Sequence, residues 1–189
     1  MTEPAFLALV DEEEERRVLS VPPGHEGFVR HDTGRLHLRP GVHRLHCGRA
    51  AAVFLVRVEG SHVLDLRSLG GAMVRAANGR WRPLKVLGQL AYGVARPEQL
   101  VDFLEREQIH EAQEFEHELA RLTVDLLSNV FDGEALHADK LAENLEVVSG
   151  ELLRRLTAIV LPLGLRLDGL DLLAMPAPLE GLAASPGAA

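Results

Sequence analysis

Five of the nine histidines lie between Val21 and His46, and four of these, His25, His31, His37 and His43, recur at an interval of six. Imidazole nitrogens repeated at short range are what a first-row transition metal needs, so His31, His37, His43 and His46 are the first candidate ligands. A strand alternates its side chains between two faces, and a spacing of six keeps the row on one face only if the strand runs unbroken. Asp32-Thr-Gly34 and Arg39-Pro-Gly41 break it twice. The plainer reading is exposed or turn-flanking histidines. Two alternatives stand beside it: a metal-binding protein or metal-dependent enzyme built on this hairpin, and a contact that gains charge below the ordinary imidazole pKa of about 6.5.

A second candidate is the trio His110, Glu114 and His117, whose spacings of four and three put it on one face of a helix. Zinc on a helix usually takes two histidines four apart plus a ligand from another element. The trio also sits among Glu107, Glu111, Glu116, Glu118 and Arg121, which reads as a solvated face. The run Asp11 to Glu15, followed by Arg16-Arg17, reads the same way, or as a segment that docks on a basic partner. Asp168 and Asp171 fall on opposite faces of a strand and make a poor acid and base pair. Cys47 is alone, so no disulfide forms within the chain. Nucleophile elbows, phosphate loops and paired zinc histidines are not found, so no catalytic residue and no cofactor are assigned, and the reading is of a protein that is not an enzyme.

The elements that would position these residues follow from period and punctuation. From Val18 to Val94 short apolar runs are separated by the turn residues Pro22, Pro23 and Gly24, Gly34, Pro40 and Gly41, Gly70-Gly71, and Asn78 with Gly79. Asn78-Gly79 suits a two-residue hairpin turn. Alternation from Leu84 to Val94 predicts a strand covered on one side. After Pro97 the period becomes helical. A short helix is expected over 97–105, and a long one over 108–131 with the stripe Ala112, Phe115, Leu119, Leu122, Leu126 and Val130. Another is expected from Asp139, with Leu152, Leu156 and Ile159 on its apolar stripe and a stop at Pro162 and Gly164. Leu165 to Leu172 alternates again. Strands, then helices, then one strand predict an α+β fold: a mainly antiparallel, strongly twisted sheet from the N-terminal half, packed by two long amphipathic helices, with a final strand returning to the sheet. The expected organisation is an apolar and acidic segment over 1–17, a domain over 18–176 and a disordered Ala/Pro/Gly tail over 177–189.

The formal charge of −8 comes from 28 acids against 20 bases, and Lys85 and Lys140 are the only lysines. An acidic chain is repelled by phosphate backbones unless a basic patch overrides the field, and no such patch is expected, so nucleic acid is not a predicted partner. No run reaches the roughly 20 apolar residues of a membrane span. The apolar stretch Ala5 to Val10 is too short and too acidic in its flanks for a signal peptide. The expected location is cytoplasmic, with any membrane contact peripheral.

The ordered motifs resemble a known family. Val21-Pro-Pro-Gly24, Gly27-Phe-Val-Arg30, Gly34-Arg35 and Pro40-Gly-Val-His-Arg44 are similar to the opening of the SPFH or band 7 domain of stomatins, prohibitins and flotillins. Val63-Leu-Asp-Leu-Arg67 continues the likeness. Val86 to Glu98 resembles the family's strand that runs into a Y-x-V-x-D-P-E step, with Arg96 where an acid is common. Leu163 to Leu172 resembles its closing strand. Leu84 to Pro97 and the ending also resemble a bacterial branch likened to a viral core protein. The resemblance covers about residues 18 to 176. It implies an SPFH-like fold and a non-catalytic scaffold or adaptor, homo-oligomeric, that organises membrane-linked partners or regulates proteases and transporters.

Overall fold

The structure is a computed structural model and describes residues 6–9, 18–31, 34–45, 52–66, 71–75, 79–133 and 141–176. The strands are β1 (Phe6–Leu9), β2 (Val18–Val21), β3 (His25–His31), β4 (Gly34–Leu38), β5 (Gly41–Arg44), β6 (Ala52–Arg57), β7 (His62–Asp65), β8 (Gly71–Arg75), β9 (Trp81–Val94) and β10 (Leu165–Pro176). The helices are α1 (Pro97–Glu107), α2 (Ala112–Gly133) and α3 (Leu141–Val160), and a 3-10 turn over Leu161–Leu163 follows α3. The fold is α+β and its strand pairs are antiparallel.

The strands form three sheets where a single one was expected: β1-β6-β3-β4, then β10-β9-β7 with β8 on β9, and the ribbon β2-β5. The reason is visible in β6. Its run Ala52-Val-Phe-Leu-Val-Arg57 does not alternate because both of its faces are covered. Phe54 and Val56 face the main core, with Phe6, Phe28, Tyr92, Leu100 and Phe115. Val53 and Leu55 face a smaller core, with Leu19, Val21, Val29, Leu38 and Leu45, where the ribbon lies on the sheet. The segment 1–17, expected outside the domain, supplies β1, and Phe6 is buried against Phe54 and Phe115.

Several boundaries shift for local reasons. α1 runs two residues past the expected Glu105 and ends where Gln108 adopts φ 58, with the amide of Ile109 donating to the Leu104 carbonyl at 2.9 Å. That left-handed residue stops α2 from starting at Gln108. The buried face of α2 is wider than the stripe, because Ala120, Thr123 and Leu127 join Phe115, Leu119 and Val130. The Thr123 hydroxyl donates to the Leu119 carbonyl at 2.8 Å, which lets a polar residue sit there. In α3, Val160 takes the buried place expected for Ile159, which is exposed. The Pro162 and Gly164 stop holds: Gly164 has φ 84, and a Cβ there would run into the backbone of Arg96 and Leu100.

β10 runs to Pro176. Its alternation is broken by a bulge between Leu167 and Gly169, so Leu165 and Leu167 before it and Leu170 and Leu172 after it reach the same core. Gly24, Gly34, Gly41 and Gly79 all have positive φ, as their turns demand. Arg75 pairs with Trp81 in the β8–β9 hairpin. Asp32, Thr33, His46, Cys47, Asn78, Asp139, the acidic run 11–15 and the tail 177–189 lie outside the described residues.

Candidate functional site

The histidine-bearing hairpin β3–β4 lies against α1 through a row of opposite charges. Arg35 reaches Asp102 at 2.7 Å and Glu105 at 2.5 Å, and Arg30 stands 4.0 Å from Glu105. Burial opposes the Arg35 charge, but the hydrogen bonds to Asp102 and Glu105 more than offset it and hold the guanidinium above its ordinary pKa. His37 sits opposite Phe28 in the register and stacks on its ring, with centroids 4.8 Å apart. The imidazole Nε2 lies 2.9 Å from Glu26 Oε2, and Nδ1 lies 3.7 Å from Glu98. This arrangement ties an exposed hairpin to the helix that follows the second sheet.

The remaining histidines of the row are held apart from His37. His25 Nδ1 donates to the Pro23 carbonyl at 3.1 Å and closes its own turn. His43, on the ribbon, donates from Nε2 to the Arg39 carbonyl at 2.6 Å. His31 Nε2 is buried with no hydrogen-bond partner among the described residues. The reversals at Gly34 and Gly41 thus distribute the row over β3, β4 and β5.

The helical trio does not form either. His110 lies in the connection before α2 and not on it, and its ring is 6.5 Å from that of Phe54. Glu114 and His117 are exposed on α2. Among the described residues no group of three or more His, Cys, Asp or Glu is placed to hold a metal ion. Asp168 and Asp171 are not brought together: Asp168, at the bulge, accepts from Ser61 Oγ and from Arg166 Nε, while Asp171 is exposed.

Among the described residues, two cavities flank α2. One of about 200 Å³ is apolar and is lined by Phe103, Phe115, Leu119, Leu122, Leu163 and Leu165, with Glu118 and Arg121 at its edge. The other, of about 290 Å³, is lined by Val63, Leu64, Asp65, Gln113, Glu116 and His117, with Ala120. The hydroxyl of the buried Tyr92 donates to Glu116 Oε1 at 3.3 Å. Burial, then the charge of Glu116, pushes that hydroxyl well above the ordinary phenol range, so Tyr92 is a fixed donor and not a base. His62 packs its buried ring 5.3 Å from that of Tyr92.

One feature escapes the sequence reading. From Leu66 to Pro97 the chain carries Arg67, Arg75, Arg80, Arg82, Lys85 and Arg96 and no Asp or Glu. The pairing of β8 with β9 gathers four of these cations onto one hairpin. The signal is a local charge window, which the whole-chain balance of −8 conceals.

The chain matches no protein-family model, and no curated protein matches it. Among the described residues no helix is long and apolar enough to cross a membrane.

Proposed function

We propose that the protein is a non-catalytic, self-associating scaffold or adaptor of the stomatin–prohibitin–flotillin type, which sits in the cytoplasm at the periphery of a membrane and organises membrane-linked protease or transporter partners. The antiparallel sheets followed by helices and a returning strand are compatible with that type. The observation that carries the reading is the β2–β5 ribbon. Among the described residues each of its strands pairs only with the other, which leaves a backbone edge open on both. Val18 and Val42, 55% and 73% exposed, stand out from it while Leu19 and Val21 face inward. An open edge with apolar side chains is a surface on which a second strand can add.

Size-exclusion chromatography with light scattering tests this. The expected mass is at least two chains, falling toward one chain in Val42→Lys without a change in melting temperature. A strictly monomeric protein from micromolar to high-micromolar concentration overturns the self-association.

A further inference from the structure

We infer that the apolar cavity between α1, α2 and the start of β10 is a binding site for a small neutral aromatic compound of about the size of indole, carrying one N–H or O–H group. The inference goes beyond the scaffold reading and does not depend on it.

The walls come from three parts of the chain. Phe103 of α1, Phe115, Leu119 and Leu122 of α2, and Leu163 and Leu165 line a volume of about 200 Å³. The turn that carries the two last leucines is fixed by its backbone. Gly164 donates its amide to the Leu161 carbonyl at 3.1 Å, and its own carbonyl accepts from the amides of Ala95 and Arg96 at 2.8 and 2.9 Å. An apolar cavity offers water no partners, and one of about 150 Å³ with Leu, Ile and Phe walls stays dry and takes up benzene. The larger volume here suits a ring with a second ring fused to it.

Ring geometry selects an aromatic occupant. Phe54, Phe6, Phe115 and Phe103 form a chain with centroids 6.4, 5.9 and 6.4 Å apart and successive planes at 53°, 73° and 70°. The last two rings of that chain are cavity wall. Rings at about 4.5–7 Å in tilted or edge-to-face geometry attract one another beyond the area they bury, so an aromatic guest should bind roughly two- to tenfold tighter than a saturated ring of equal size.

Charge at the rim selects a neutral donor. Arg121 donates from Nε and Nη2 to Glu118 Oε2 at 3.0 and 2.9 Å, and from Nη1 to Asp125 Oδ2 at 3.2 Å. Two carboxylates thus meet one guanidinium, and the negative excess repels an anionic guest. A cationic guest would have to bury its charge among apolar walls, which is costly. Both bonds from Arg121 to Glu118 fall on Oε2, so Oε1 can accept from a guest N–H or O–H.

Calorimetric titration of the full-length protein with indole, indole-3-carboxylate and cyclohexanol tests this. The expected result is saturable binding of indole, several-fold weaker binding of cyclohexanol, and binding of the carboxylate weaker by at least roughly tenfold. Saturating indole should also raise the melting temperature, because the cavity exists only in the folded chain. Leu122→Trp, which fills the cavity from a half-buried position, should abolish indole binding without lowering the melting temperature. Phe103→Leu gives an independent reading should Leu122→Trp melt low: it should weaken indole several-fold and leave cyclohexanol unchanged. No saturable binding of indole, binding of cyclohexanol or the carboxylate as tight as that of indole, or full binding by a folded Leu122→Trp overturns the inference. A monomer that binds indole sustains this inference and removes the self-association, whereas an oligomer that ignores indole does the reverse.

Discussion

The two hairpins β3–β4 and β8–β9 both carry clusters of positive or protonatable side chains, yet their surroundings are opposite. In the first, Arg30, Arg35 and His37 are met by Glu26, Glu98, Asp102 and Glu105. Its buried Phe28 carries the exposed His37 ring stacked on it. In the second, the chain offers no carboxylate from Leu66 to Pro97, and its large ring at Trp81 is turned outward. Charges matched within the molecule hold parts of it together. In the second, Arg75, Arg80, Arg82 and Lys85 share one antiparallel hairpin whose own strands carry no carboxylate. Of the histidine row, His37 belongs to the matched set.

The contrast can be broken most sharply by removing one ring from each hairpin. Phe28→Ala should destabilise the protein by about 3–5 kcal/mol, as deletion of a fully buried aromatic does. Trp81→Ala, at a ring that is half exposed, should cost less than Phe28→Ala. Chemical denaturation of the two variants in parallel gives both values, and similar losses would erase the distinction.

Single arginines sharpen it further. Arg35→Ala leaves Glu105, whose side chain is 14% exposed, without its near cation, and should cost about 1–3 kcal/mol. Arg80→Ala, at an exposed guanidinium, should cost less than Arg35→Ala. If Arg80→Ala proves the more damaging of the two, the β8–β9 hairpin carries the stronger ionic contact.

The turn that leads out of the first hairpin gives a smaller effect. Gly41 has φ 142, a conformation a β-branched residue resists, so Gly41→Val should cost more than about 1 kcal/mol. That corresponds to a fall of roughly 2–4 °C in melting temperature for a chain of this size. An unchanged melting temperature would contradict the turn geometry.

The smallest effect lies on α3, away from both hairpins. Hydrogen bonds from Arg154 and then Arg155 hold the Glu151 carboxyl down at about 2, against an ordinary 4.5. A depressed folded-state value stabilises above the unfolded pKa and is lost as pH falls through the folded one. Glu151→Gln should therefore flatten the acid limb of the stability curve between about pH 4.5 and 2, and lower stability by a pH-independent amount above pH 5. A neutral-pH loss larger than that of Arg35→Ala would show that α3 carries more charge-dependent stability than either hairpin.

Much of this was legible from turn residues. Gly24, Gly34, Gly41 and Gly79 mark reversals because only glycine takes those φ values freely, and the Pro162–Gly164 stop was equally plain. The α+β order followed from the change of period at Pro97. The three-sheet division was not legible, since the apolar run Ala52–Arg57 has the same composition whether one face or two are covered. The start of α2 is not legible, because Gln108 is a residue from which a left-handed conformation is not expected. The bulge at Asp168 hides inside an alternation that looks continuous. Helical spacing joins His110 to Glu114 and His117, and it lapses once the helix begins at Ala112. The cationic window from Leu66 to Pro97 is fully present in the sequence, and strand pairing says which of its residues share a hairpin.

The most direct test of the two-hairpin account is the melting temperature of Arg35→Glu beside that of Arg80→Glu. The account predicts the larger fall for Arg35→Glu, which sets a third carboxylate against Asp102 and Glu105. An equal or larger fall for Arg80→Glu would contradict it.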